Sequence, residues 1–271
     1  MKTLLAVLLS ALLAISTHQT AAAETTHPNI KLKILSGRPI VDGVYCNGKG
    51  PFRFLIDTGN HTNQIDAHLA QKLGLTPTFQ VQLYTPSGSS RVPGTKVDKL
   101  TLGSSEATGQ AFLITSLEGV HALSPDIQGI LGQEFLSHFD YTLDFQHHEL
   151  TLGDSPTTGA HVPVRMVDGL MAVPTSQGDL VLDSGADTLF LFRESSHSAT
   201  AQISAASGST AAVSIEKVYG LQIGERLYHP AGAVFHPVPA ASHAGLLPAN
   251  LFHAIFICNS AGYVVFDPAT R

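Results

Sequence analysis

The sequence predicts an all-β protein built from two related lobes, and three observations carry that prediction. Phe54, Leu55, Ile56, Asp57, Thr58, Gly59 recurs 126 positions later as Leu180, Val181, Leu182, Asp183, Ser184, Gly185. Shorter matches keep the same order around the two phrases, as an internal repeat must. Along both halves, short apolar and β-favouring runs are separated by turn residues, with little helical periodicity.

The smaller matches are Val41, Asp42, Gly43 with Val167, Asp168, Gly169 at an offset of 126, and Ser87, Gly88, Ser89 with Ser207, Gly208, Ser209 at 120. Leu102, Gly103 matches Ile223, Gly224 at 121, and Gly129, Ile130, Leu131 matches Gly245, Leu246, Leu247 at 116. The offset shrinks along the chain, so the second copy reads as the first with small deletions, which surface loops tolerate.

Taken in order, residues 1–23 read as a secretory signal peptide. Lys2 gives the positive start, Leu4 to Ile15 the apolar run, and Ala21, Ala22, Ala23 a small-residue cleavage site. The polar stretch Ser16 to Thr20 cuts the run short of a membrane span. The expected protein is therefore exported, to the periplasm or beyond the cell, with no membrane span after cleavage.

Residues 24–152 form the first predicted lobe. Its strands are expected at Lys31 to Leu35, Ile40 to Cys46, Phe52 to Ile56, Gln80 to Tyr84, Val97 to Leu102, Ala111 to Thr115, Tyr141 to Phe145 and Glu149 to Leu152. Two short helices are expected, one capped by Asp66 and stopped at Gly74, the other from Gln133 to about His138. A linker at 153–159, rich in Gly, Asp, Ser, Pro and Thr, leads to the second lobe, 160–271.

There, strands are expected at Met171 to Val173, Asp179 to Leu182, Ala211 to Ile215, Val218 to Ile223, Ala233 to Val238, Ala254 to Cys258 and Tyr263 to Phe266, with a helix after Pro248 matching the one after Gly132. Arg193 to Thr200 is polar and serine-rich, so the helix that follows the first Asp phrase has no expected counterpart.

Composition narrows the function. The formal net charge is −6 and 13% of residues are charged, which argues against nucleic acid, whose partners present a basic face. Nothing resembles a polybasic membrane patch. Fourteen histidines invite a metal reading, but there is no HExxH or comparable ligand spacing, and His147, His148 is a lone pair in a turn. No metal and no cofactor are implied. Phosphate loop, serine elbow and paired-cysteine motifs are also missing from the sequence. Cys46 and Cys258, one per lobe, are either a disulfide or two separate buried thiols.

An apolar strand that ends in Asp, a small hydroxyl residue and Gly puts a carboxylate at a buried strand end, with glycine permitting a tight turn. Two such carboxylates, one from each half of a duplicated chain, are what a water-activating aspartyl dyad requires. Asp57 and Asp183 are the candidate catalytic pair.

On these residues the chain resembles the retropepsin-like aspartic proteases, in particular the exported bacterial kind with both lobes in one chain. The likeness rests on the two Asp phrases, on Ile130, Leu131, Gly132, on Gln133 to Leu136, on Tyr141 to Phe145 and on Gly262 to Phe266. It implies a bilobal pepsin/retropepsin-like fold, two β-barrel-like lobes with the active site between them, and Ile130 to Gly132 packed against the loop of the first Asp. It implies an aspartic endopeptidase that needs no cofactor, acts on a peptide or unfolded protein substrate, and works as a monomer.

Thr58 and Ser184 resemble hydroxyls that bond across to the opposite lobe; the alternative is that each caps its own turn. Gly59 and Gly185 let backbone N–H groups approach the carboxylates. A hairpin tip at Thr85, Pro86, Ser87, Gly88, with Tyr84 reaching over the cleft, is the candidate flap, and Ser207, Gly208 is its counterpart.

Two departures stand out. The residue after each Gly is a hydroxyl in the pepsin pattern but Asn60 and Ala186 here, and Pro248 stands where the first lobe has Gly132. Loss of the hydroxyl leaves a carboxylate less stabilised as an anion, so the expected pH optimum is mildly acidic. Pseudo-symmetry makes the two Asp residues near equivalents and leaves the general base unassigned. A rival from another class is a peptide-binding or envelope-scaffold protein that keeps the cleft without turnover.

Overall fold

The computed structural model describes residues 28–85, 88–153, 158–195, 201–204, 208, 210–238 and 241–268. The expected signal peptide, most of the expected linker, and Pro86, Ser87 and Ser207 of the two expected hairpin tips lie outside these residues.

The first half contains β1 (Ile30–Leu35), β2 (Arg38–Cys46), β3 (Lys49–Ile56), β4 (Asn63–Asp66), α1 (Ala67–Leu73), β5 (Phe79–Thr85), β6 (Gly88–Leu102), β7 (Ser105–Thr115), α2 (Glu118–His121), β8 (Gly129–Leu131), α3 (Gln133–Leu136), β9 (Tyr141–Asp144) and β10 (Glu149–Leu152). The second contains β11 (Val162–Pro163), β12 (Arg165–Val167), β13 (Leu170–Thr175), β14 (Gly178–Asp183), β15 (Leu189–Leu191), β16 (Ala201–Ser204), β17 (Thr210–Glu216), β18 (Leu221–Ile223), β19 (Arg226–Tyr228), β20 (Ala233–Phe235), β21 (Gly245–Pro248), a 3-10 turn (Ala249–Leu251), β22 (Ala254–Cys258) and β23 (Tyr263–Phe266). The all-β expectation holds.

Local chemistry explains the predicted helix. The Asp66 carboxylate accepts from the N–H groups of His68 and Leu69, and Gly74 closes α1 in the left-handed conformation at φ 74°. Leu69 and Ala70 are its buried face. The helix expected after Pro248 is a single 3-10 turn.

The repeat is visible as identical strand register. In the first half β3 runs parallel to β8, pairing Phe54 with Gly129 and Ile56 with Leu131. In the second, β14 runs parallel to β21, pairing Leu180 with Gly245 and Leu182 with Leu247. β4 then lies antiparallel to β8 and parallel to β7, as β15 lies antiparallel to β21 and parallel to β20. Each Asp loop is thus held between its own strand and a short strand that returns on the far side of a central one.

One sequence match does not survive. Val41, Asp42, Gly43 lies inside β2, whereas Asp168 and Gly169 form the turn between β12 and β13. The true counterpart of that turn is Ser36–Gly37, between β1 and β2. Both turns have two left-handed residues, φ 47° and 78° in the first and 50° and 77° in the second, the twist that closes a two-residue hairpin.

Pro248 is accommodated by a paired change. In the first half Gly132 N–H donates to Asn63 Oδ1 at 3.0 Å, and a Cβ on Gly132 would lie 2.5 Å from the Asn60 carbonyl. At the matching places the second half has Pro248, which has no N–H, and Leu189, which has no acceptor. Donor and acceptor are both gone, so no buried polar group is left unpaired.

The halves share one sheet. β9 and β10 continue through β1 into the first half, while β22 pairs with β9 and β23 with β22. One apolar core runs through both halves, including Phe54, Ile56, Tyr141, Leu182, Leu247 and Ile255. Cys46 and Cys258 are buried and unbonded, the second of the two arrangements open from sequence, and burial pushes the Cys46 thiol up to about 12.

Candidate active site

β3 and β14 deliver Asp57 and Asp183 to the same point between the halves. Asp57 N–H donates to the Leu131 carbonyl at 2.9 Å, which anchors the end of β3 on β8. On the other side Asp183 is still in ladder register with Pro248. The two carboxyl groups hydrogen-bond to each other.

Beneath them, four hydrogen bonds tie the halves together. Thr58 N–H donates to Ser184 Oγ at 3.0 Å and Ser184 N–H to Thr58 Oγ1 at 2.9 Å. Thr58 Oγ1 donates to the Leu182 carbonyl and Ser184 Oγ to the Ile56 carbonyl, both at 2.7 Å. Thr58 and Ser184 are 0% and 1% exposed. Of the two roles open from sequence, the hydroxyls take the cross-lobe one, and each satisfies a buried backbone donor and acceptor of the opposite half.

The glycines are required by proximity. A Cβ on Gly59 would sit 2.7 Å from both carboxylate oxygens of Asp183, and one on Gly185 the same distance from those of Asp57. Each carboxyl therefore lies against the opposite loop, where only a residue without a side chain fits. Gly59 N–H donates to Asp57 Oδ1 at 3.1 Å. Gly185 and Ala186 N–H donate to Asp183 Oδ1 at 2.7 and 3.0 Å.

Both carboxyl groups hold their proton more firmly than an ordinary aspartate. Burial, then the negative charge of Asp183, pushes Asp57 well above the usual range. Burial also raises Asp183, opposed by Gly185 N–H, by the hydrogen bond from Asp57, by Ala186 N–H and by the Arg38 charge. The Asn60 side chain hydrogen-bonds to Asp57 and favours its charged form, so the hydroxyl missing from that position is replaced by an amide. No such side chain exists at Ala186, whose backbone N–H serves instead.

The first loop is braced from behind. Gln133 Nε2 donates to the Thr58 carbonyl at 2.8 Å, and Gln133 N–H to the Asn60 carbonyl at 2.8 Å. Sequence reasoning missed two residues: Gln133 as a brace, and Arg38, whose Nε donates to the Gly185 carbonyl at 2.6 Å and whose guanidinium pairs with Asp187 at 3.0 Å. The Arg38 contacts span 147 and 149 positions, and no local motif announces them.

Of the flap candidates, Tyr84 and Gly88 lie in the β5–β6 ladder, which pairs Tyr84 with Ser89 and Thr85 with Gly88. Ser87 is outside the described residues. In the second half, Gly208 lies beyond β16 and close to the Glu118 side chain of the first. Among the described residues, no group of three or more His, Cys, Asp or Glu is placed to hold a metal ion.

The aspartyl protease family model matches residues 43–135, the span that carries Asp57, Thr58 and Gly59 and reaches Gln133. Among solved structures, a retropepsin-like aspartic protease from Rickettsia conorii matches with 19% sequence identity and a TM-score of 0.35, over 46% of this chain and 88% of that one. No curated protein matches the chain.

Proposed function

We propose that this chain, whose first lobe carries the aspartyl protease signature, is an exported aspartic endopeptidase that hydrolyses peptide bonds with a water held between Asp57 and Asp183. The observation that carries the reading is the pair of mutually hydrogen-bonded carboxyl groups, Asp183 buried and Asp57 partly so, each seated against the glycine of the opposite half. Two carboxyls this close share one proton and titrate as a coupled pair.

In that state one carboxylate takes a proton from the held water as its oxygen attacks the scissile carbonyl carbon. The carbonyl electron pair moves onto oxygen, which takes the proton of the other carboxyl. The resulting tetrahedral diol then collapses: the C–N bond breaks, the nitrogen leaves with the proton gained from the water, and a diol hydroxyl returns its proton to the acid. The dyad ends as it began. The cross-lobe bonds of Thr58 and Ser184 keep the two carboxyls at fixed separation throughout, and that pre-set geometry carries much of the rate.

Cleavage of an unfolded protein at several pH values tests the proposal, with and without a transition-state mimic of the pepstatin type. The expected optimum is mildly acidic, because burial raises both carboxyls; an optimum below about pH 3, under the unperturbed aspartate value, contradicts it. Asp57→Asn and Asp183→Asn are each expected to abolish cleavage with the fold intact. Substantial turnover in either variant refutes the assignment. Peptide binding without cleavage in the wild type selects the rival, a scaffold on the same fold.

A further inference from the structure

The two halves of the dyad are not equivalent, and Arg38 places a charge on one side only. Arg38 opens β2 just after the Ser36–Gly37 turn. Its Nε–H donates to the Gly185 carbonyl at 2.6 Å, and that carbonyl belongs to the same peptide unit as the Ala186 N–H, which donates to Asp183 Oδ1 at 3.0 Å. A cation bound to the oxygen of an amide polarises it and strengthens its N–H as a donor. Arg38 thus acts on Asp183 through a single peptide group.

No cation matches Arg38 on the Asp57 side, where the neutral Asn60 amide is the side chain that favours the anion. The residue that opens β13 after the equivalent turn is Leu170. The Asn60 N–H, counterpart of Ala186 N–H, donates to the main-chain carbonyl of Asp57 at 3.3 Å and not to its carboxylate.

We propose that Arg38 sets the polarity of the dyad: Asp183 is held as the anion that takes the proton of the attacking water, and Asp57 carries the shared proton that passes to the scissile carbonyl. This rests on reading the pair as a water-activating dyad, and it names the base and acid that the repeat left interchangeable. Arg38 is a positioning residue, acting on Asp183 through the Gly185–Ala186 peptide group.

The surrounding charges are consistent with that polarity. Asp187 pairs with Arg38 on its outer side, with 43% of its side chain exposed against 20% for Arg38, so solvent screens the carboxylate more than the cation. His61, at the place that matches Asp187, packs against Gly169 beside the first loop. Asp168, next to Gly169, is hydrogen-bonded by Ser242. Glu134, behind that loop, accepts from Ala111 N–H at 3.1 Å.

The test is a carboxyl carbon-13 NMR titration of the full chain, with the two resonances assigned by their loss in Asp57→Asn and Asp183→Asn. Asp183 is expected to carry the first ionisation step and Asp57 the second. Arg38→Gln keeps a donor for the Gly185 carbonyl but removes the charge, and is expected to move the first step up by about 0.5–1 pH unit, with the acid limb of kcat/KM following it. Arg38→Lys retains the charge and should move it by less. A merely structural role lowers activity at every pH and leaves the step in place. A first step carried by Asp57 in the wild type overturns the proposal without any variant, as does an unmoved step in Arg38→Gln. The titration needs no turnover, so a wild type that never cleaves sinks the peptidase reading and leaves the polarity to be judged on the resonances.

Discussion

Replacing Thr58 by Val deletes one oxygen and almost no volume, at a position closed to solvent. The Thr58 hydroxyl donates to the Leu182 carbonyl at 2.7 Å and accepts from Ser184 N–H at 2.9 Å, and both Thr58 and Ser184 are buried. Without it, a buried carbonyl and a buried N–H of the opposite half lose these partners. Each costs about 1–3 kcal/mol, so the variant should lose about 2–6 kcal/mol. For a chain of this size each kcal/mol lowers Tm by about 2–4 °C, which places the fall at about 4–24 °C. Thr58→Ser keeps both bonds and gives up one buried methyl, at about 1 kcal/mol. Thermal and urea unfolding followed by circular dichroism measure the difference. If Val is no worse than Ser, the hydroxyl contacts carry no weight and the account of the lobe junction is wrong. In the double variant with Ser184→Ala the losses should fail to add, since both side chains belong to one ring of bonds.

Stability should also report on the dyad. Asp57 and Asp183 both hold their protons more firmly in the folded chain than at the ordinary value of 3.8, so their contribution is full below about pH 4 and is lost as pH rises through the raised folded values. Urea midpoints should therefore decline from pH 4 toward neutrality, and Asp57→Asn should flatten that slope; an equal slope in the variant refutes the linkage. Gly185→Ala places a methyl 2.7 Å from the Asp57 oxygens and is expected to cut cleavage by about a hundredfold, near-normal kcat/KM being the contrary result. Cys46, buried and with its thiol pushed up to about 12, should resist thiol reagents in the native protein and react on unfolding. Rapid labelling of Cys46 in buffer would contradict its placement.

Much of this was legible from the chain because the deciding interactions are local. Asp66 and Gly74 bracket α1 through bonds within a few residues, and the apolar triplets before Asp57 and Asp183 declare strands that end abruptly. The repeat added a second copy of the strand-end signal at each Asp. β4 escaped notice because Asn63, Gln64 and Asp66 look like loop residues, yet all are buried: Asn63 accepts from Gly132 N–H, and Gln64 pairs with Thr115 from β7. Such a strand is made by partners far along the chain, which overrule its own propensity. The match at Val41 to Gly43 misled for a related reason, since three residues of sequence fix composition but not whether they sit in a strand or a turn. Arg38 was invisible for want of any motif, and Gln133, though inside a family-like run, showed no sign of its brace; each role exists only once a distant Asp loop arrives.

The strands Ala254–Cys258 and Tyr263–Phe266 come from the far end of the chain, yet they extend the sheet that begins with the described N-terminal strand. A ribosome delivers them more than a hundred residues after Tyr141–Asp144. Until then Tyr141–Asp144 presents an open edge with Tyr141 and Leu143, side chains fully buried in the finished protein, still awaiting their cover. A nascent molecule stalled before Ala254 should thus be sticky and prone to pair with its neighbours. Closure of that seam turns two tethered half-barrels into one body.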